Sequence, residues 1–388
     1  MKSNYDILGN HIRLVDYRNK ELITTQVLGI NIDKYFMPSV ANVIGTDLSR
    51  YKLLLKGKFA CNPMHVGRDE RLPVALYSED KPAIVSPAYF VFEIVDTSLL
   101  NEYYLMMWFR RPEFDRTCWL KTDGSVRGGI SWDDICRLEL PVPPIEKQLE
   151  IVNRYKAITD RIALKQKIND NLLAQAQIYF GNVFKGRDTE DTLPNNWEFA
   201  TVGDYCVDNV SNLSKNDKYD TISYLDTGSI TDNYIVELQE LNLNKDEIPS
   251  RAKRKAFHGD IVYSTVRPNL HHYGLLQNPP DNLIVSTGFA VLHSKCGKIS
   301  NELIFMWLTK NSVLEYLQAI AENSVSTYPS LNVSDLLNVK IVVPDDDTLR
   351  KLNLFLSTIF SIIDENNRQI KMLLNCRTLI LPKLISSH

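Results

Sequence analysis

Two stretches of the chain place apolar residues at alternating three- and four-residue intervals. The first runs from about Pro144 to Phe180, with a/d-type positions at Ile151, Tyr155, Ile158, Ile162, Lys165, Asn169, Leu172, Ala176 and Tyr179. The second, from about Asp345 to Pro382, repeats it 201 residues later at Leu352, Leu356, Ile359, Ile363, Asn366, Ile370, Leu373, Arg377 and Ile380. One apolar face packed on its own globular module would suffice for an ordinary amphipathic helix, but a 3.5-residue period kept for about four heptads predicts two long helices paired with each other, antiparallel. The polar residues at inward positions fit this reading, because they set register at a cost in stability. About 30 helical residues make a rod of roughly 45 Å, a ruler between whatever stands at its ends.

The remainder of the chain is duplicated at a lag of about 200 residues. Ile84-Val-Ser-Pro-Ala-Tyr-Phe-Val-Phe92 matches Ile284-Val-Ser-Thr-Gly-Phe-Ala-Val-Leu292, both alternating as a half-buried strand does. Asn101-Glu-Tyr-Tyr-Leu-Met-Met-Trp108 matches Asn301-Glu-Leu-Ile-Phe-Met-Trp307, each opening a helix-like apolar run, with both tryptophans read as core. Ser131 to Pro143 matches Asn332 to Pro344, pairing Asp134 with Asp335. Each copy is domain-sized, which excludes a solenoid. The predicted fold class is α+β: two similar globular domains, separated by two long helices that pair as an antiparallel coiled coil. The expected bounds are 1–143 and 183–344 for the domains, and 144–182 and 345–388 for the helices.

Composition narrows the class. A chain of 388 residues that is 44 % hydrophobic can bury the cores of two or three domains, so a long disordered chain is excluded. The net charge of -3 argues against a histone-like polycation and leaves selective nucleic-acid binding by a local basic face open. Six scattered cysteines with no CxxC pair remove thioredoxin-like and zinc-ribbon readings and fit idle thiols in a reducing compartment. Because the N-terminus lacks an apolar signal region and no apolar run approaches ~20 residues, the expectation is a cytoplasmic protein with no membrane partner.

Module, helix, module, helix, with Leu140-Pro-Val-Pro-Pro-Ile-Glu-Lys-Gln-Leu149 leading into the first helix, resembles the specificity (S) subunit of type I restriction–modification systems. Asp123-Gly-Ser-Val-Arg-Gly-Gly-Ile130 is similar to that family's Gly/Ser-rich turn, and its second copy is Asn323-Ser-Val-Ser-Thr-Tyr-Pro-Ser330. One departure is the second helix entry, Val343-Pro-Asp-Asp-Asp347, which lacks both the second proline and the Gln. The resemblance implies that each module is a target recognition domain reading one half of a bipartite double-stranded DNA site. It also implies that the helices dock methyltransferase (M) subunits, two of them, and that restriction/motor (R) subunits join for cleavage.

Candidate DNA contacts come from local chemistry. In the second module Arg251-Ala-Lys-Arg-Lys255 gathers Arg251, Lys253, Arg254 and Lys255, a cluster that suits phosphates, although a solvated charged turn has the same look. Arg267-Pro-Asn-Leu-His-His-Tyr273 follows, and Arg267, Asn269, His271 and His272 are residue types that present donors or acceptors to base edges; a polar turn is the plain alternative. The first module's counterpart is Cys61-Asn-Pro-Met-His-Val-Gly-Arg68 with Arg71, placed after Gly57 as Gly259 precedes the second. Arg68, Arg71, and Lys121 and Arg127 of the Gly-rich turn, with Ser326, Thr327 and Tyr328 of its second copy, complete the candidate DNA face.

Enzyme signatures fail on inspection. Asn278-Pro-Pro-Asp281 lacks the aromatic that stacks a flipped base in adenine methyltransferases, and no Gly-rich cofactor loop follows a strand. Asp69 with Glu79-Asp-Lys81 is a loose nuclease pattern among turn residues, and His271-His272 lacks spaced metal-ligand partners. The expected function is therefore non-catalytic, sequence-specific DNA binding by a subunit that needs no cofactor and directs partner enzymes to a bipartite asymmetric site. A solitary methyltransferase or nuclease, and a coiled-coil scaffold without DNA binding, are the competing classes.

Overall fold

The computed structural model describes residues 5–386 apart from 41–44, His65, 123–127, Asp188, Lys215, Cys296 and 325–328. It divides into two compact units, residues 1–164 with 370–388, and residues 165–369, so that the division passes through both long helices.

In the first unit a four-stranded antiparallel sheet has the order Ile12–Leu14, Phe90–Ile94, Phe59–Cys61, Val74–Leu76. Period-two side-chain alternation gives this sheet two different faces. Phe59 and Cys61 pack with Phe92, Tyr104, Phe109 and Phe114 under the helices Glu102–Phe109 and Pro112–Leu120, whereas Ala60 packs with Leu54, Ala83 and Val85 of a second, smaller sheet. Helices, sheet and sheet thus make three layers with two thin cores.

The second unit repeats the plan. Its four-stranded sheet runs Cys206–Asp208, Phe289–Ser294, Ile261–Ser264, Tyr273–Leu275 in the same spatial order. Ile261 and Tyr263 face the helices while Val262 faces the other sheet. That other sheet is larger here, with Thr221–Leu225 laid parallel to Leu283–Ser286 and flanked by Gln239–Asn242 and Ala252–Lys255. Trp108 and Trp307 are buried at equivalent places, as expected of core residues.

One sequence expectation needs correction. The run from Ile84 to Phe92 is two strands rather than one: Ala83–Val85 belongs to the small sheet and Phe90–Ile94 to the four-stranded sheet. Pro87 cannot donate to a ladder, and Ser86 turns the chain by accepting from the Ala88 and Tyr89 amides through its Oγ and carbonyl. The second copy breaks at Thr287-Gly288 in the same way. A Cβ on Gly288 would come within 2.9 Å of Thr227 Cγ2, so glycine lets the crossover pass close to its neighbour.

The long helices span Ile145–Phe184 and Asp346–Ser386. Every a/d-type position of the first is buried or half-buried, as are those of the second that are described. Within the second unit the pairing is antiparallel. Lys165 Nζ donates to Asn366 Oδ1 (2.9 Å), Asn366 Nδ2 to Asn169 Oδ1 (2.8 Å) and Asn169 Nδ2 to Asn367 Oδ1 (2.9 Å). Further along, the Tyr179 and Phe355 rings meet at 4.5 Å, so partner numbers fall in one helix as they rise in the other. The polar inward residues therefore bond to one another across the seam.

Each long helix is fastened to its own module by a side-chain amide. Gln148 is fully buried: its Nε2 donates to the Leu99 (2.8 Å) and Pro143 (2.7 Å) carbonyls, and its Oε1 accepts from the Asn101 amide (2.9 Å). The position 201 residues later is Leu349, which has no amide. Asn353, one helical turn further on, does the equivalent work, accepting from the Ser300 amide (3.1 Å) and donating to the Lys298 carbonyl (2.9 Å). The missing second proline is replaced as well. Asp345 stands where Pro144 stands in the first copy, and it caps the second helix by accepting from the Asp347 and Thr348 amides while also holding Trp197 Nε1 (3.0 Å).

Two outcomes are expected. Replacing Asn366 by Ala orphans the half-buried groups of Lys165 and Asn169 and should lower stability by about 1–3 kcal/mol in urea titrations; equal midpoints for wild type and the Ala variant would refute the seam. The Asp345 carboxyl is held down to about 2, chiefly by the Thr348 amide, from an ordinary 3.8. A depressed carboxyl contributes fully above its unfolded pKa and loses that contribution as pH falls through the folded one. The stability difference between wild type and Asp345→Ala should therefore be constant from neutral pH to about 4 and shrink below it, which denaturant titrations at a series of pH values would measure.

Candidate nucleic-acid interface

Strand directions bring several loops of the second unit to one end of its two sheets. The strand Leu283–Ser286 leaves one sheet there and Phe289–Ser294 enters the other, with Thr287-Gly288 between them. The Thr287 amide donates to the Arg251 carbonyl (2.9 Å), and the Gly288 carbonyl accepts from the Thr265 amide (2.9 Å). Thr265 O accepts in turn from Leu331 N (2.7 Å), Arg267 N donates to Pro329 O (3.0 Å), and Asn269 N donates to Gln318 Oε1 (3.1 Å). Arg251, Arg267, Asn269, His271 and the turn at Pro329–Leu331, separate in sequence, thus share one junction.

The base-reading candidates sit on a left-handed loop. Arg267 and His271 flank the one-turn helix Pro268–Leu270 with φ of +50° and +55°. Facing them is the hairpin Ile230–Thr231, Tyr234–Ile235, whose central Asp232 and Asn233 are also left-handed, at +45° and +65°, as a tight two-residue hairpin turn requires. His271 Nδ1 is 3.0 Å from Asp232 Oδ1, and His272 Nδ1 is 2.7 Å from the Ile230 carbonyl oxygen. Arg267 and Asn269 are exposed, whereas both histidines are half-buried.

The cation cluster does not act as one group. Along the strand Ala252–Lys255, Arg251 just before it and Lys253 within it are exposed, while the other two are occupied. Arg254 donates to the Phe289 carbonyl, and burial pulls its pKa below the usual guanidinium value. Lys255 pairs with Asp217 and lies 5.9 Å from the Tyr219 ring centre. The first unit repeats the Arg254 arrangement with another residue type: Lys52, opposite Val85 as Arg254 is opposite Val285, donates to the Tyr89 carbonyl (2.7 Å). A cation at this ladder position is part of the fold in both units.

The equivalent loop of the first unit carries the one-turn helix Val66–Asp69, and it too meets the turn that precedes the last strand. Gly67 N donates to Gly128 O (3.0 Å) and Ile130 N to Pro63 O (3.1 Å). Gly57 and Gly259, at φ of +80° and +85°, open the matching strands. Arg68 is exposed and pairs with Asp69 at 2.6 Å; Arg71 is exposed and pairs with Asp33 at 3.2 Å. Lys121 is the exposed C-cap of the helix Pro112–Leu120. Arg127, Ser326, Thr327 and Tyr328 lie outside the described residues.

Sequence reading passed over the residue that steadies this loop. Lys34, left-handed at +67° and only 4 % exposed, donates to the Phe109 carbonyl (2.5 Å) and to Asp115 Oδ1 (2.7 Å), with its ammonium 4.6 Å from the Phe114 ring centre. Burial lowers its pKa, and Asp115 opposes that shift. The same Asp115 oxygen accepts the Leu72 amide (3.0 Å), tying down the chain just past Arg71. A single lysine between Asp33 and Tyr35 carries no sequence signal of burial.

Asn278 belongs to a loop, with φ of +46° and its amide donating to Asp364 (2.9 Å). Among the described residues no group of three or more His, Cys, Asp or Glu is placed to hold a metal ion, and no helix is long and apolar enough to cross a membrane.

Residues 194–375 match the family model of the type I restriction modification DNA specificity domain. The chain is 28 % identical over 158 residues to the type I restriction enzyme HindI specificity subunit of Haemophilus influenzae, a match covering 41 % of this chain and 34 % of that protein. It is 21 % identical over 278 residues to the MjaIX specificity subunit of Methanocaldococcus jannaschii, covering 68 % and 63 %. The chain thus spans about a third of the first relative's length and under two thirds of the second's. The crystal structure of a type I restriction–modification S subunit from M. genitalium superposes with a TM-score of 0.60 at 14 % identity, over 99 % of this chain and 96 % of that one, which supports the fold. On these matches residues 194–375 carry the type I restriction modification DNA specificity domain, and the chain as a whole is similar to type I restriction enzyme specificity subunits.

Proposed function

We propose that the chain is a non-catalytic DNA-specificity subunit that reads a bipartite, asymmetric site and directs partner enzymes to it. The observation that carries this reading is the loop junction built twice on one plan with different side chains. In the second unit the junction holds Arg251, Arg267, Asn269 and His271, and in the first Arg68 and Arg71. A single backbone design with dissimilar polar residues suits two readers of different half-sites. The occupants of such a site are double-stranded DNA, with phosphates met by exposed cations and base edges by the loop side chains. The partners are methyltransferase subunits, two by the two-fold repeat of the chain, and restriction subunits; methyl transfer and cleavage belong to them.

Exchanging residues 195–343 for the same region of a relative, and mapping methylation in cells that also make the methyltransferase, tests the division of labour. One half-site should change and the other persist. Alteration of both halves would refute independent reading, and a salt-sensitive gel shift that shows no DNA binding by the assembled complex would refute the function.

Within the cluster, Lys253→Ala should weaken binding to all sequences and lower the salt slope by about 0.9, the contribution of one phosphate contact. Arg254→Ala should leave the slope alone and instead lower the melting temperature, because it orphans the Phe289 carbonyl. Equal slopes for wild type and Lys253→Ala would return that residue to a solvated surface.

A further inference from the structure

The hairpin at Ile230–Ile235 grips two adjacent histidines by the same ring atom. His271 Nδ1 faces the Asp232 carboxylate at 3.0 Å and His272 Nδ1 faces the Ile230 carbonyl oxygen at 2.7 Å. A carboxylate and a carbonyl only accept, so Nδ1 carries the proton in both rings. In the neutral imidazole Nε2 is then an acceptor.

His271 differs from its neighbour in how it is presented. Its ring stacks on Tyr273 (centroids 5.7 Å, planes 25° apart), and Tyr273 stacks on the buried Tyr263 (5.4 Å, 24°). The Tyr273 hydroxyl donates to the same Asp232 oxygen, at 3.0 Å, so one carboxylate pins two members of the stack. The His271 side chain nevertheless stays 41 % exposed, and its Nε2 has no partner among the described residues. Holding it there takes left-handed backbone at His271 and at Asp232 on the opposing hairpin, with Arg267 left-handed on the other side of the turn. Backbone of this kind in non-glycine residues persists where the surroundings over-determine it, and it gathers at binding sites.

Resting on the DNA reading above, we propose that His271 is a specificity-determining residue of the second unit, whose Nε2 accepts a hydrogen bond from the exocyclic amino group of adenine or cytosine in the major groove. A neutral acceptor has nothing to offer a phosphate. Guanine and thymine present acceptors in that groove, so against either of them Nε2 meets another acceptor and both stay unpaired. Asp232 acts through His271 as a positioning residue that selects its tautomer.

The test uses the full chain assembled with its methyltransferase on a duplex library randomised across the half-site, with bound sequences counted at two salt concentrations. Wild type should select A or C at one position. His271→Phe keeps a ring for Tyr273 to stack on but has no acceptor; it should lose that preference by roughly tenfold or more while other positions and the salt slope stay as they are. Asp232→Asn, a residue tolerant of left-handed backbone, has an amide that can donate to Nδ1, so both tautomers become available and G or T should enter at the same position. Unchanged base preference in both variants would overturn the assignment to His271 alone, as would a loss spread evenly over all sequences. A wild-type complex that selects no sequence would overturn the DNA reading itself.

Discussion

The side-chain amide that ties each long helix to its own module, fully buried at Gln148 and half-buried at Asn353, is the constraint on which the rest depends. A backbone amide and carbonyl exposed at the loop before the helix Glu102–Phe109 would be costly to bury unpaired, and Gln148 satisfies Asn101 N–H and Leu99 C=O while bonding the Pro143 carbonyl beside its own helix start. The first turn of the long helix is thereby locked to its module in rotation and in height. Within the second unit, Lys165 and Asn169 bond to Asn366 and Asn367, which needs inward-facing side chains on both helices. The second module reaches the same end with Asn353, a shorter amide one turn later, and with Asp345 as a cap in place of proline.

A second consequence follows from the crossover between sheets. Because Leu283–Ser286 and Phe289–Ser294 lie in different sheets with two residues between them, the ends of both sheets are drawn together. Loops from distant parts of the chain then bond to one another largely through backbone groups, as Arg251, Thr287, Gly288, Thr265 and Leu331 do. Because backbone groups carry most of these bonds, many side chains at the junction can differ between the copies without loss of the turn. By contrast, the occupied cations of this region hold backbone: Lys52 and Arg254 donate to carbonyls at matching strand starts.

Much of this plan was legible from spacing. The heptads, the lag of about 200 residues and the Asn101 and Asn301 helix starts all reflect periodic burial, which local sequence records directly. Two features were legible only in part. The run Ile84–Phe92 reads as one alternating strand because the turn that splits it costs only a few residues and leaves the apolar pattern intact. Arg251–Lys255 reads as one basic patch because charge is visible in sequence and the direction of a side chain is not.

By itself, then, the sequence determined two α+β modules, two long helices and their antiparallel seam, since each is written in repeating hydrophobic positions that any fold must bury. Tertiary structure alone decided which polar residues stay available. Whether Arg254 meets solvent or the Phe289 carbonyl, whether Lys34 is buried against Asp115, and whether His271 is pinned by Asp232 depend on groups 35, 81 and 39 residues away along the chain. Hydrogen bonds and ion pairs act over a few ångströms, and only the folded backbone sets which atoms come that close.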